Sequence, residues 1–173
     1  MLRLNLGCAN DILDGYVNID IHHKNPKVLI EDVKNLHWLE NNSVDTILAK
    51  DVLEHLSFSE GLDAIKEWSR VLKQGGSFYI QTINLPIQIE AFQEGVWDLS
   101  DFNHMVFAGV GWVDGITRPG DFHKSAYTFN YLEKILNEYD LFVNKKTFDT
   151  IDDMLRINSR SHNLNMNIWG IKK

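Results

Sequence analysis

The chain has 173 residues, 44% of them hydrophobic and 24% charged, a size and composition that suit one globular domain around one core. Its single cysteine, Cys8, excludes an internal disulfide and a multi-cysteine zinc site, and makes a reducing, cytoplasmic setting the expectation. The formal net charge is −7, with Lys and Arg scattered and paired only at Lys145–Lys146 and Lys172–Lys173, which argues against a nucleic-acid partner; no apolar run approaches the roughly 20 residues a membrane span needs.

Met1–Leu6 places Leu2, Leu4 and Leu6 on one side and stops at Gly7, which reads as a strand ending in a turn. The opening MLRLNLGCAN enters that pattern with no basic-then-apolar leader. Val17–Ile21 reads as a second strand after the Asp14-Gly15 turn, and Val28–Ile30 as a third that ends at Glu31–Asp32. Val44–Ala49 is a fourth, and Ser77–Ile83 a fifth after Gly75-Gly76. Between them Leu62, Ile65, Trp68, Val71 and Leu72 fall near helical spacing. Ser57 or Ser59 can cap that helix, Glu60 suits its first turn, Lys73 lies in its last turn, and Gly75 can end it. A second amphipathic helix is expected over Asn130–Tyr139 with Thr128 as a cap, followed by strands at Leu141–Phe148 and Asn165–Ile171.

Short strands interleaved with helices predict an α/β fold: a single mostly parallel sheet with helices on both faces, closed by an antiparallel C-terminal hairpin. Residues 84–124 fit no element well. They carry Phe92, Trp97, Phe102, Phe107, Trp112 and Phe122, too aromatic for disorder, and read as an ordered insertion or lid. Gly109-Val110-Gly111 does not lead a strand into a helix, so it reads as a flexible point in that lid rather than a phosphate loop.

Three constellations carry chemistry. In an open parallel sheet, ligands bind beyond the C-terminal strand ends, and Gly7 in LNLGCAN can let one approach the backbone or simply permit a tight turn. Asp20, closing YVNID, can accept two hydrogen bonds from a ribose diol or stand as an exposed strand-end aspartate. Its distance from Gly7 leaves room for a turn or two of helix at most, a shortened first helix. Asp32–Val33 can meet an adenine edge and face, or cap a helix.

Asp32-Val33-Lys34-Asn35-Leu36, NNSVDTILAKDVLEHLS and EWSRVLKQGGSFYI together resemble the small class I S-adenosylmethionine-dependent methyltransferases of the type 11 group. Ordered matches run from Leu4 to Ile80. DFHKSAYTFNYLEKIL at Asp121–Leu136 is similar, more loosely, to relatives associated with sugar or polysaccharide chemistry. The resemblance implies a Rossmann-like methyltransferase fold binding S-adenosylmethionine and releasing S-adenosylhomocysteine. Gly7, Cys8 and Ala9 would lie along its methionine part, Asp20 on the ribose with Ile21 near the adenine, Asp32 and Val33 on the adenine, and Ala49 and Lys50 near the sulfonium and the acceptor. The chain departs from the family at Ala9, where Gly is usual, and at His37 and Gln74, where prolines are common. An Ala methyl is tolerated if the backbone angle is negative and crowds the cofactor otherwise.

A small polar acceptor, such as a sugar or polysaccharide precursor, is the expected substrate; the oligomeric state is not legible. A hydroxyl or amine acceptor must lose a proton, for which His55 or His123 is the candidate base, with Tyr127 within approach and Asp51 or Glu54 as orienting groups. His22, His23 and His37 lack a ligand partner at a metal-binding spacing and read as surface residues. A nicotinamide-dependent reductase would need a full G-x-G-x-x-G turn and usually a Tyr-x-x-x-Lys pair, both absent. A non-catalytic cofactor-binding relative acting as a partner subunit is the remaining alternative.

Overall fold

The computed structural model describes residues 1–22, 24–108, 122–151 and 164–173. Its strands are β1 (Arg3–Leu6), β2 (Val17–Ile19), β3 (Val28–Leu29), β4 (Val44–Lys50), β5 (Leu72–Ile83), β6 (Leu141–Phe148) and β7 (Asn165–Lys172). They form one seven-stranded sheet in the order β3-β2-β1-β4-β5-β7-β6. The pairings from β3 across to β5 are parallel, while β7 runs antiparallel to both β5 and β6. The expected C-terminal hairpin is present, with β7 inserted between β5 and β6.

The register sorts the side chains. Leu4, Ile47 and Phe78 align across one face, as do Leu6, Ala49, Ile80 and Ile168. All are buried in one core with Ala64, Ile65, Trp68 and Val71 of α1 (Phe58–Val71) and Leu132, Ile135 and Leu136 of α4 (Phe129–Glu138). Each fully buried Leu or Ile contributes roughly 1.5–3 kcal/mol relative to an exposed one, so this face holds the fold together. The other face carries Asn5, Thr46, Leu48, Ser77, Tyr79, Trp169 and Ile171 in register. None of them joins either hydrophobic core. Helices were expected on both faces; among the described residues they pack on one.

The cause lies in the first crossover. No helix forms between Leu6 and Val17, not even a shortened one; the chain passes through turns alone. Two buried asparagines hold those turns. Asn5 Nδ2 donates to Asp11 O at 2.7 Å and to Asn18 Oδ1 at 2.9 Å. Asn18 accepts from Leu13 N–H at 2.9 Å and donates to Leu13 O at 3.0 Å. A strand-borne amide thus satisfies loop groups that a helix would have paired internally.

α1 begins with Ser57 and Glu60 in a reciprocal capping box. It ends earlier than the glycine signal suggested, at Val71, and β5 starts at once. Gly75 does adopt a positive φ of +73°. It serves a bulge inside β5, where the pairing slips from Val44↔Leu72 to Thr46↔Ser77. Arg70 rather than Lys73 sits in the last turn. Lys172 closes that helix end: its Nζ donates to Ser69 O at 2.6 Å, Leu72 O at 3.0 Å and Asn42 Oδ1 at 2.8 Å. The ammonium answers carbonyls that the helix itself leaves unpaired.

Within 84–124 the structure shows two helices where none was expected, α2 (Leu85–Gln93) and α3 (Leu99–Phe107). α2 has no side-chain cap, and the start signal its sequence offers is Pro86 in the first turn. α3 starts with a reciprocal Asp98–Asp101 cap that was legible. Ala91, Trp97 and Met105 form a second core with Leu164, next to Ile87, Phe102 and Ile151. Trp97 and Phe102 therefore serve local packing, while Phe92, Phe107 and Phe122 stay exposed. Gly109-Val110-Gly111, Trp112 and His23 lie outside the described residues.

Candidate active site

β1, β2 and β4 end at the same edge of the sheet, and their tips are tied together. Cys8 N–H donates to Ile19 O at 3.0 Å, and Asp20 N–H donates to Leu29 O at 3.1 Å. Ala9 N–H donates to Asp20 Oδ2 at 3.0 Å, and His22 N–H to Asp20 Oδ1 at 2.9 Å. Lys50 Nζ reaches Asp11 Oδ2 at 2.6 Å, joining the end of β4 to the loop after β1. A Cβ added at Gly7 would stand 2.5 Å from Val52 Cγ2, so only glycine lets these two tips touch. Its φ of +61° demands glycine as well.

The sequence-predicted residues divide into two groups. Asp20 faces the shared edge, half-buried, and each carboxylate oxygen accepts one backbone N–H. A carboxylate has about four lone-pair sites, so capacity for a diol remains on both oxygens. Ile21 is 52% exposed beside it. Gly7, Ala9 and Lys50 lie at the same edge. Cys8, Val33 and Ala49, in contrast, have buried side chains. Val33 and Ala49 belong to the main core, and Val33 O accepts from Trp68 Nε1 at 2.9 Å. Only their backbones can border a ligand. The Cys8 thiol is pushed up to about 11, first by burial and then by Asp20, which removes it as a nucleophile. Asp32 accepts from Lys34 N–H at 2.9 Å and stands 3.5 Å from Lys34 Nζ, which also reaches Glu60 in the first turn of α1 at 2.6 Å.

Ala9 has a φ of +41°, the left-handed region in which its methyl group is unfavourable. The backbone angle is positive, a conformation that glycine takes without strain, so Ala9 carries a local cost of roughly 1 kcal/mol. Ala9→Gly is accordingly expected to raise the unfolding free energy by about 0.5–1 kcal/mol and to tighten binding of S-adenosylhomocysteine. Urea unfolding and calorimetry on the same variant check both, and a destabilised, weaker-binding variant contradicts the assignment.

His55 and His123 come from different parts of the chain and meet here, with ring centroids 4.8 Å apart and edge to face. The His123 pKa is held down to about 4, by burial first and by His55 second. Its Nδ1 lies 3.2 Å from Val106 O, which can only accept. The neutral ring therefore carries its proton on Nδ1 and a lone pair on Nε2. Tyr127 is buried, with its hydroxyl packed against Gly61 of α1.

The sequence reading placed Asp51 and Glu54 only as orienting groups, and the structure gives each a definite setting. Glu54 is fully buried on the three-residue 3-10 turn Leu53–His55 and accepts from Thr82 Oγ1 at 2.9 Å. Burial first, then Asp51, pushes its pKa up to about 8. Asp51 has φ +52°, and its carboxylate is held by the side-chain amides of Gln81 and Asn165. Those amides come from β5 and β7 and were not anticipated, because nothing local in the sequence joins positions that far apart. Gln88 of α2 is fully buried with neither amide atom paired, again on the insertion side of this edge.

Among the described residues, no group of three or more His, Cys, Asp and Glu is arranged to hold a metal ion. No helix among them is long and apolar enough to cross a membrane.

Comparison with known proteins agrees with this geometry. A methyltransferase domain family matches residues 8–80. A SAM-dependent methyltransferase from Archaeoglobus fulgidus superposes with a TM-score of 0.66 at 16% identity, covering 98% of this chain and 85% of that one. A Methanosarcina mazei SAM-dependent methyltransferase gives 0.67 at 17%, covering 98% and 91%. The 1,6-didemethyltoxoflavin-N1-methyltransferase of Burkholderia thailandensis, solved with S-adenosylhomocysteine, gives 0.63 at 11%, covering 99% and 71%. At these identities the likeness shows the fold. No curated protein matches the chain with significance. The family match covers the strand tips tied together above, and the remaining strands complete the same sheet: residues 8–80 are similar to a methyltransferase domain, and the chain has the fold of the S-adenosylmethionine-dependent methyltransferases it superposes on.

Proposed function

We propose that this chain transfers the methyl group of S-adenosylmethionine to a small polar acceptor, such as a sugar or polysaccharide precursor, releasing S-adenosylhomocysteine. The observation that carries this reading is the bonded convergence of the tips of β1, β2 and β4 on Asp20 and Gly7. The Burkholderia neighbour holds S-adenosylhomocysteine on the same fold, which supports that cofactor here.

The residues fit the group. Asp20 binds the ribose diol, Ile21 lies on the adenine, and the backbone at Gly7, Cys8 and Ala9 runs along the methionine part. Asp32 meets the adenine edge beside the backbone of Val33, and the backbone of Ala49 with Lys50 borders the reacting centre. The cofactor, when bound, supplies a methyl group already activated by the sulfonium. The protein's work is then alignment, worth roughly 7–11 kcal/mol when donor and acceptor are held in line. His123 Nε2 and His55 are the groups placed to take the acceptor's proton. Of the 84–124 insertion, α2 and α3, which share their own small core, serve as the lid over the acceptor side.

Calorimetry with S-adenosylmethionine, S-adenosylhomocysteine and NADH tests the reading. Both sulfur compounds are expected to bind with one site per chain and NADH not at all. Binding of NADH alone overturns the reading. Failure of both sulfur compounds removes the cofactor and leaves the partner-subunit alternative.

A further inference from the structure

Asp51 stands one residue beyond Lys50, at the edge where β4 and β5 end side by side. Its φ of +52° is a strained conformation for a residue with a side chain, and it persists because the surroundings hold it. Asp51 N–H donates to Gln81 O at 3.0 Å. Gln81 Nε2 donates to both carboxylate oxygens at 3.1 Å, and Asn165 Nδ2 adds a donor at 3.3 Å. Asn165 is only 5% exposed, yet its Oδ1 has no partner. A buried acceptor atom with no donor costs about 1–3 kcal/mol unless something fills its place.

Lys50 is spent on Asp11 at 2.6 Å, and no ion pair among the described residues includes Asp51. The ionisable groups acting on it are His55 and Glu54 of the 3-10 turn, Lys50 of β4, Tyr79 of β5 and Asp149 after β6. Burial raises the Asp51 pKa most, Asp149 adds to this, and His55 and Lys50 oppose it. The result is a fixed, half-buried carboxylate next to an unfilled carbonyl.

We infer that Asp51 is the acceptor-facing group of this site, and that with Asn165 it takes an acceptor presenting an amine rather than an anion. The inference rests on the methyl-transfer reading above. Asn165 Oδ1 and the carboxylate each receive an N–H of the amine. As the acceptor nitrogen forms the new C–N bond, the S–C bond breaks and its electron pair stays on sulfur. For such an amine the surplus N–H proton passes to the Asp51 carboxylate, in place of His123 or His55, and then to water. An acceptor with a carboxylate or phosphate at that point meets like charge and leaves Oδ1 unpaired. An amino sugar satisfies both this chemistry and the sugar reading.

The test needs no identified acceptor. Sinefungin carries an amine-bearing carbon in place of the methylated sulfur, so it sets an ammonium where the methyl group would be. Calorimetry on the full chain is expected to show sinefungin binding at least tenfold more tightly than S-adenosylhomocysteine. Asp51→Asn should bring that ratio close to one while leaving S-adenosylhomocysteine binding within twofold; Asn tolerates the left-handed conformation well. Equal binding of the two compounds by the unmodified chain overturns the inference whether or not the variant folds. So does a preference that survives in Asp51→Asn. If neither compound binds, the methyl-transfer reading fails first and the inference with it.

Discussion

Asp20→Ala is expected to weaken binding of S-adenosylhomocysteine by at least tenfold and by more than the loss of a ribose contact alone. Two effects combine. The diol loses a charge-assisted acceptor, and such hydrogen bonds are roughly twice as strong as neutral ones. The same carboxylate also accepts from Ala9 N–H at 3.0 Å and His22 N–H at 2.9 Å, so its removal releases the loop that borders the methionine part. Asp20→Asn separates the contributions: its amide oxygen can keep one backbone donor, so it should bind better than the alanine variant and worse than the unmodified chain. Calorimetry on folded variants gives the answer, and an unchanged dissociation constant in Asp20→Ala removes Asp20 from the site.

Glu54→Gln should alter stability in a pH-dependent way. Burial pushes the folded-state pKa of Glu54 up to about 8 from an ordinary 4.5. Between those values the folded chain holds a proton that the unfolded chain has released. Stability therefore falls as pH rises through that window, by up to about 1.4 kcal/mol per pH unit from this group, and levels off above the folded pKa. Glutamine stays neutral throughout and can still accept from Thr82 Oγ1. The variant should match the unmodified chain near pH 5 and exceed it increasingly toward pH 8.

His123 acts with the opposite sign in a lower window. Its folded pKa is depressed to about 4 from 6.5, so its contribution is fully present above 6.5 and is lost as pH falls through 4. Comparing variant with unmodified chain at each pH cancels that term. Urea unfolding between pH 5 and 9 measures the difference, and a gap that stays constant across the range contradicts a protonated, buried Glu54.

These predictions draw on residues of different legibility. Gly7 and Asp20 were readable because strand-end glycine and strand-end carboxylate act where they stand in the chain. Asp51 and Glu54 were visible only as carboxylates near a strand end. Their altered ionisation comes from burial under elements far away in sequence. The Gln81–Asn165 hold on Asp51 was not readable at all, because β7 reaches β5 only through an antiparallel pairing that local pattern does not encode. Val33 and Ala49 both turn their side chains into the core, Ala49 through the pleat of β4 and Val33 from the turn after β3, which local pattern does not reveal either.

Alternation of apolar residues, the Ser57–Glu60 cap and the turn dipeptides determined the strands, α1, α4 and the parallel-then-antiparallel order, since each is a short-range consequence of backbone geometry. Tertiary structure alone decided three things: that helices among the described residues cover only one face, that α2 and α3 form inside the aromatic insertion, and that His55 meets His123. Each depends on packing between distant segments, whose free energy outweighs the weak local preferences of the residues concerned.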